Sequence, residues 1–475
     1  MKVIAFYLPQ FHPIPENDEW WGKGFTEWRN VTRAKPLFPG HDQPRLPADL
    51  GFYDLRVPEV QIEQAEMAKK FGIHGFCYYY YWFDGKKLLD RPLTQMLENP
   101  KVDLPFCLCY ANENWTRRWD GKEQEILMEQ KHSRENDEKF IRDLLPIFKD
   151  PRYIKVGNKP VLIIYRALLF PDILQTTRLW RKIAQEAGFE DLYLCKCQVF
   201  GDTSAPDAHG FDACVEFPPF GTSADVVNTN MAKKHNHDFN GNICSYQDIA
   251  RVEKSSQRLD FPLHKTVMLN WDNTARKGNN ATIFSDFSLG LYESWLGNAV
   301  WHTAQNFSDE KQLVFVNAWN EWAEGTYLEP DKKHGFGCLD ATKRALDAHQ
   351  FASRYSEMVP KEKREVFRAF IQHRDINEKV LLDCVGLSGA KVVTLTADKS
   401  ELENQVRSEK ERRERETFIL EVENRRIESE LRELKGRLTS GRILTGLFAR
   451  KIADVIMPVG TIRRSIAKRL YRMIR

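Results

Sequence analysis

The 475-residue sequence contains no run of about 18 apolar residues, so it offers no membrane-spanning helix. The apolar run before Pro9 is only six residues, Val3 to Leu8, too few for the core of a secretion signal. The chain is therefore expected neither to be secreted by a standard signal nor to be integral to a membrane. An excess of one charge is also missing: 70 basic against 67 acidic residues leave +3, which argues against nucleic acid as a partner except where basic residues concentrate locally. Nucleotide signatures are absent too. There is no D-x-D, no G-x-G-x-x-G and no Walker A segment, which disfavours a metal-bound nucleotide-sugar site of the common kind. Cysteines are few and odd in number, nine, and most sit inside apolar runs such as "FCYYYY", "PFCLCY" and "YLCKCQ". That placement predicts reduced thiols packed in a core, in a cytoplasmic protein; the C-x-C pairs Cys107/Cys109 and Cys195/Cys197 would share a strand face.

What is present is a repeated theme. Eight short apolar, β-branched or aromatic runs occupy residues 2–9, 75–82, 105–111, 160–166, 192–200, 211–217, 265–271 and 313–319. Most are continuous rather than alternating, as strands buried on both faces must be. Amphipathic segments fall between several of them. Residues 57–72 end at Gly72, and residues 171–188 open with Pro171 and end at Gly188, the punctuation of helices. Eight strands alternating with helices predict an α/β fold, a (β/α)8 barrel of the TIM type over residues 1–358, with a doubly wound open sheet as the alternative.

Chemistry in such barrels collects at the C-terminal ends of the strands. The residues there are rich in aromatic and polar groups: "QFHPIPENDEWWGKGFTEW" after the first run, "YWFDG" after the second, "NENWTRRWDG" after the third, "WDNT" after the seventh and "NEWAEG" after the eighth. Trp20, Trp21, Trp28, Trp82, Trp115, Trp271 and Trp322 all fall in these places. A flat apolar ring beside carboxylates and amides matches a sugar, which shows C–H groups on its faces and hydroxyls round its rim. His12, Glu27, Tyr80, Glu113, Asp272 and Asn320 complete the expected substrate-binding set. Of the tyrosines at 78–81, two should face the barrel interior and two the helices.

Glu321 and Glu324, three apart just past the eighth run, are the expected catalytic residues. Breaking or transferring a glycosidic bond needs one group to protonate the departing oxygen and another to support the oxocarbenium-like centre, work that two carboxyls can divide. Neighbouring tryptophan would raise one of the two pKa values towards neutrality.

The stretches "FYLPQFHPIPENDEWWGKGFTEW", "YANENWTRRWDG" and "NAWNEWAEGTYLEPD" together resemble the WbsX-like proteins of bacterial O-antigen and capsule gene clusters, relatives of glycoside hydrolase family 99. The resemblance spans about residues 1–358. It implies a retaining enzyme on α-mannoside-like chains that needs no metal or other cofactor. By the same resemblance, Glu321 would deprotonate the substrate's own 2-hydroxyl, which attacks the anomeric carbon to give an anhydro-sugar. Glu324 would protonate the leaving oxygen and then activate the incoming water or hydroxyl. Ala323 occupies the variable position of E-W-x-E-G, so contacts made there by a larger side chain are missing, and transfer remains open beside hydrolysis. Members often carry a glycosyltransferase label, which makes a nucleotide-sugar-dependent transferase the second reading. A non-catalytic glycan-binding assembly protein is a third, and a metal hydrolase using His235 and His237 a fourth.

Beyond the barrel the composition changes. Residues 359–397 read as a connector or small add-on. Residues 398–440 are dominated by charge with Leu420, Ile427 and Leu434 spaced seven apart, a short coiled coil able to dimerise. The last 34 residues carry nine Lys or Arg against Asp454 alone, interleaved with leucine and isoleucine. Residues 441–475 thus predict a helix lying in an anionic membrane surface, bringing the barrel to lipid-linked oligosaccharide at the inner face of the bacterial membrane.

Overall fold

The computed structural model describes residues 1–117, 122–220, 229–252 and 260–356. The expected connector, coiled coil and basic tail lie outside the described residues.

Each of the eight apolar runs contains a strand: β1 Lys2–Tyr7, β2 Gly75–Phe83, β3 Phe106–Tyr110, β4 Lys159–Ile164, β5 Tyr193–Gln198, β6 Ala213–Glu216, β7 and β8 Leu313–Asn317. β7 comes in two pieces, Leu263–His264 and Thr266–Met268. Neighbours pair in parallel in chain order. The first piece of β7 pairs with β6 and the second with β8, while β8 returns to β1 with Val314 opposite Val3. The sheet therefore closes, through one broken strand, into a (β/α)8 barrel of the TIM type. Lys265 sits at the break, 2% exposed, its ammonium 2.6 Å from Glu216.

Helices Pro58–Lys70, Arg91–Glu98, Arg134–Phe148, Ile173–Glu186, Leu289–Asn306 and Gly337–Ser356 belong to the outer layer. Their ends follow local chemistry. Ser133, Asp172 and Ser288 each accept a hydrogen bond from the backbone N–H three residues on, so Asp172 rather than Pro171 begins its helix. Gly72 and Gly188 stop the chain at φ +84° and +91°, where a side chain would be strained. Among the described residues, no helix is long and apolar enough to cross a membrane.

Side-chain contacts show which residues point inward. Phe6 of β1 lies 5.8 Å from Tyr79 of β2, 4.9 Å from Phe217 beyond β6 and 5.5 Å from Phe315 of β8, ring centre to ring centre. Rings from opposite sides of a barrel meet only inside it. Each such burial is worth about 1.5–3 kcal/mol over exposure. The eight cysteines among the described residues are buried and unbridged, and the thiols of Cys77, Cys109 and Cys197 touch across neighbouring and opposed strands. Cys107/Cys109 and Cys195/Cys197 therefore fill core space.

Candidate active site

The C-terminal ends of the strands surround a cavity of about 240 Å³. Leu8, Gln10, Asn17, Trp20 and Trp21 line it from the β1 end; Tyr79 and Tyr81 come from β2, and Ala111, Glu113, Asn114, Trp115 and Thr116 from beyond β3. Tyr165, Phe217, Phe220, Arg276, Glu321 and Glu324 complete most of the far wall.

The carboxylate pair owes its placement to one tight turn. Asn320–Glu321 pairs antiparallel with Thr326–Tyr327, and Trp322–Glu324 forms a single 3-10 turn between them. Side chains three apart on such a turn emerge on the same side, so both carboxyls face the cavity. Gly325 closes the turn at φ +70°; a Cβ there would stand 2.7 Å from the Arg45 guanidinium and 2.9 Å from the Asp272 nitrogen. The glycine of "EWAEG" is thus required by space as well as by conformation. Ala323 is fully buried and does not line the cavity.

Arg276 holds three carboxylates at once. Its Nε lies 3.3 Å from Glu27, Nη2 3.1 Å from Glu321 and Nη1 2.7 Å from Glu324. The residue stands in the short helix Thr274–Lys277 at the end of β7 and was not singled out from the sequence. Its signal in the sequence is its place four residues past Asp272, in "WDNTAR" at a barrel-strand end. Burial pushes the Glu321 carboxyl up to about 8; Arg276 opposes that rise, while Glu324 and Glu27 add to it. Burial likewise raises Glu27, against the pull of Arg276.

Of the other expected site residues, Trp20, Trp21, Glu113 and Trp115 reach the cavity with the glutamates. Trp115 stands edge-on to Trp20 at 5.8 Å and to Tyr81 at 5.1 Å, a connected aromatic wall. Glu113 pairs with Arg166 at 2.7 Å. Glu27 touches the site through Arg276 alone.

Tyr80 and Trp82 lie on the opposite face of β2, against Phe140 of an outer helix, and the Trp82 indole donates to Asp143. Tyr79 and Tyr81 take the inward places instead. Trp28 and Trp322 pack on each other at 5.6 Å; Trp28 donates to the Tyr53 carbonyl and Trp322 to Glu329. Trp271 is 2% exposed beside Phe220. His12 is buried with Nδ1 on the Pro9 carbonyl, and burial lowers it to about 4. Asn320 clamps the backbone of Leu8 by both ends of its amide. None of these lines the cavity.

Asp272 is scaffolding as well. Burial alone would raise it, yet hydrogen bonds and charge from His41 and Arg45, with Thr274, hold it at about 2. Its Oδ1 accepts from Thr274, and its backbone N–H donates to the Glu324 carbonyl. The "WDNT" motif thus builds the frame that presents Arg276. Asn17, by contrast, lines the cavity with its side chain fully buried, and neither amide atom has a hydrogen-bond partner among the described residues. His235 and His237 are exposed beside the helix Thr229–His235. Among the described residues, no group of three or more His, Cys, Asp or Glu side chains is arranged to hold a metal ion.

Comparison with known proteins adds the following. The chain is 46% identical over 344 residues to the uncharacterized protein WxcX of Xanthomonas campestris pv. campestris, in strains ATCC 33913 and B100. The match takes in 72% of this chain and 49% of WxcX, so the chain spans about half the length of the curated relatives it matches. Among solved structures, the GH99 endo-alpha-mannosidase from Bacteroides thetaiotaomicron superposes with a TM-score of 0.46 at 15% identity, over 74% of this chain and 98% of that one. A glycoside hydrolase-like protein gives 0.46 at 16% identity, over 72% and 93%. The family model described as glycosyltransferase WbsX matches residues 3–342. By that match, which takes in more than half of the chain, the chain belongs to the WbsX family.

Proposed function

We propose that the protein is a glycan-active enzyme of bacterial surface-polysaccharide biosynthesis that breaks or transfers α-mannoside-like bonds with retention, through Glu321 and Glu324. The observation that carries this reading is the pair itself: two carboxyls on one turn, sharing one guanidinium, at the mouth of a barrel walled by Trp20, Trp21, Trp115, Tyr79 and Tyr81. Ring faces receive the sugar's C–H surface, and Gln10, Asn17 and Asn114 offer amides to its hydroxyls.

The reaction starts from a pair that holds one proton. Two carboxyls that share one guanidinium give up their protons in separate steps that belong to the pair. The last proton, lost near pH 8 where Glu321 is held, is retained at neutrality. A glycosidic oxygen against Glu324 draws that proton to it, which leaves Glu321 ionised to take the proton of the substrate 2-hydroxyl. The oxygen so activated attacks the anomeric carbon as the leaving oxygen is protonated. Water or a second sugar then opens the anhydro-sugar, giving its proton to Glu324 while Glu321 returns its proton to the 2-oxygen.

The donor favoured by the wall is an uncharged glycan. Among the described residues of the cavity, Arg276 is the one cation, against Glu113, Glu321 and Glu324, an environment that repels a diphosphate. The glycosyltransferase label of the family keeps the alternative in the test. Wild type and Glu324→Gln should be incubated with α-mannosides and lipid-linked oligosaccharides, with and without nucleotide sugars, and the products weighed. Fragments formed without a nucleotide sugar, and lost in the variant, support the proposal. Extension that requires a nucleotide sugar overturns it. In the same reading the basic segment 441–475 brings the enzyme to lipid-linked substrate at the inner face of the membrane; deleting it should release the protein from anionic liposomes, and unchanged sedimentation would remove this element.

A further inference from the structure

We propose that Arg276 is a positioning residue for the Glu321–Glu324 pair, and that Arg276 and Glu27, acting in opposite directions, set how tightly the pair keeps its last proton. This rests on the glycosidic reading above.

The geometry is specific to a guanidinium. Its planar fork reaches Glu27 by Nε, Glu321 by Nη2 and Glu324 by Nη1, and a lysine ammonium, a point charge, could not fix the orientation of both carboxyls. Arg276 joins three barrel loops: Glu27 follows β1, Arg276 follows β7 and the pair follows β8. Its own backbone is held by the Asp272 cap on Thr274, by Asn273 accepting from the Thr282 N–H, and by Asp272 donating to the Glu324 carbonyl. The arginine and the loop bearing Glu324 therefore move as one frame.

Charge gives the proposal its sign. The groups facing Glu321 are Arg276, Glu27 and Glu324, with Tyr79 and Tyr81 on β2; Tyr165 beyond β4 faces Glu324 and Glu113. Among them Arg276 is the cation that favours ionisation, and Glu27, fully buried, is a carboxylate that disfavours it without reaching the cavity. Removing the arginine makes the last proton harder to lose. Removing the Glu27 charge makes it easier, because one negative neighbour goes and Arg276 is left with two carboxylates rather than three. A residue that merely supports the fold would lower stability and activity without producing opposite shifts.

The test is direct titration of the Glu321 carboxyl carbon, labelled with 13C and assigned by its disappearance in Glu321→Gln. Wild type, Arg276→Gln, Arg276→Lys and Glu27→Gln are compared in the full chain. The expected result is titration near pH 8 in wild type, a rise on the order of one pH unit or more in Arg276→Gln, partial return in Arg276→Lys, and a fall in Glu27→Gln. The alkaline limb of kcat/KM should move with these values, with kcat affected more than KM. Shifts of the same sign in Arg276→Gln and Glu27→Gln, or none, overturn the proposal, and circular dichroism confirms that each variant is folded. If wild type turns over no glycoside, the glycosidic reading fails, while the carboxyl titration still decides what Arg276 does.

Discussion

In the proposed mechanism, replacing Glu324 by glutamine removes a proton donor while leaving the shape of the site. Its Oε1 stands 2.7 Å from Arg276 Nη1, a contact that a glutamine oxygen can keep. What is lost is the carboxyl's proton, so the cost should equal the contribution of general acid catalysis: about 10²–10⁴-fold in kcat/KM, or roughly 3–5 kcal/mol of barrier. That cost applies to a glycoside whose leaving oxygen must be protonated. A nitrophenyl glycoside departs as a stable anion and needs no proton, so for it the loss should shrink to roughly tenfold or less. Glu321→Gln, which removes the base, should lose comparable activity on both donors. Initial rates at pH 7 on the two donors, for wild type and both variants, make the measurement. Equal losses for both donors in Glu324→Gln would refute the acid assignment, and rescue of Glu321→Gln by the nitrophenyl donor would exchange the two roles. The same wild-type series carried to high pH should fall about tenfold per unit above pH 8, where the pair gives up its last proton.

Three further outcomes follow from the geometry. Asn17→Ala should raise KM about tenfold, the worth of a hydrogen bond or two, with Tm unchanged or higher because an unpartnered buried amide is removed; a clear fall in Tm would make Asn17 structural instead. Trp322→Ala should cost about 3–5 kcal/mol in urea unfolding, since the ring stacks on Tyr327 at 3.8 Å and is 2% exposed, whereas Trp20→Ala at the cavity should change KM with little loss of stability. Equal destabilisation by the two would contradict the division between core and cavity rings. Burial pushes Glu329 from 4.5 up to about 7, despite hydrogen bonds from Trp322, Gln64 and Tyr53 that pull it down. A folded value above the unfolded one means stability that is full below about pH 4.5 and lost as pH rises through 7, to the extent of roughly 3 kcal/mol. Glu329→Gln should flatten that decline between about pH 4.5 and 7; an unchanged slope would place the titration elsewhere.

The barrel could be read from the sequence because its strands are apolar on both faces and are separated by turn and helix punctuation. The same property hid the parity of β2. In "GFCYYYYWF" both faces are buried, so hydropathy does not say which alternate set points inward, and choosing the ring of Trp82 selected the helix-facing side. Contacts with Phe6 and Trp115 settle the question in favour of Tyr79 and Tyr81. The break in β7 was equally silent, since it depends on Lys265 meeting Glu216 across the sheet edge, a pairing 49 residues apart. Glu321 and Glu324 stood out because Glu321 is wedged between Asn320 and Trp322, where a merely solubilising charge is poorly placed. Arg276 did not stand out, because its value lies wholly in which carboxylates it meets.

The mouth of this barrel carries two kinds of polar residue that composition does not separate: those whose hydrogen bonds are satisfied within the loops, and those left open to a ligand. Asp272 has both oxygens engaged by His41, Gln43 and Thr274, and Asn320 spends both ends of its amide on Leu8. Such residues stiffen the loops, and their satisfaction makes them poor ligands for a sugar. Asn17 is equally buried with no partner, and Glu321 and Glu324 share one guanidinium with Glu27. Burying an amide unpaired, or three carboxylates on one cation, costs stability that a purely structural loop would have no reason to bear. Partner satisfaction is a property of the fold, and here it sorts the aromatic, acid-rich motifs into a rigid frame and a short set of groups facing the cavity.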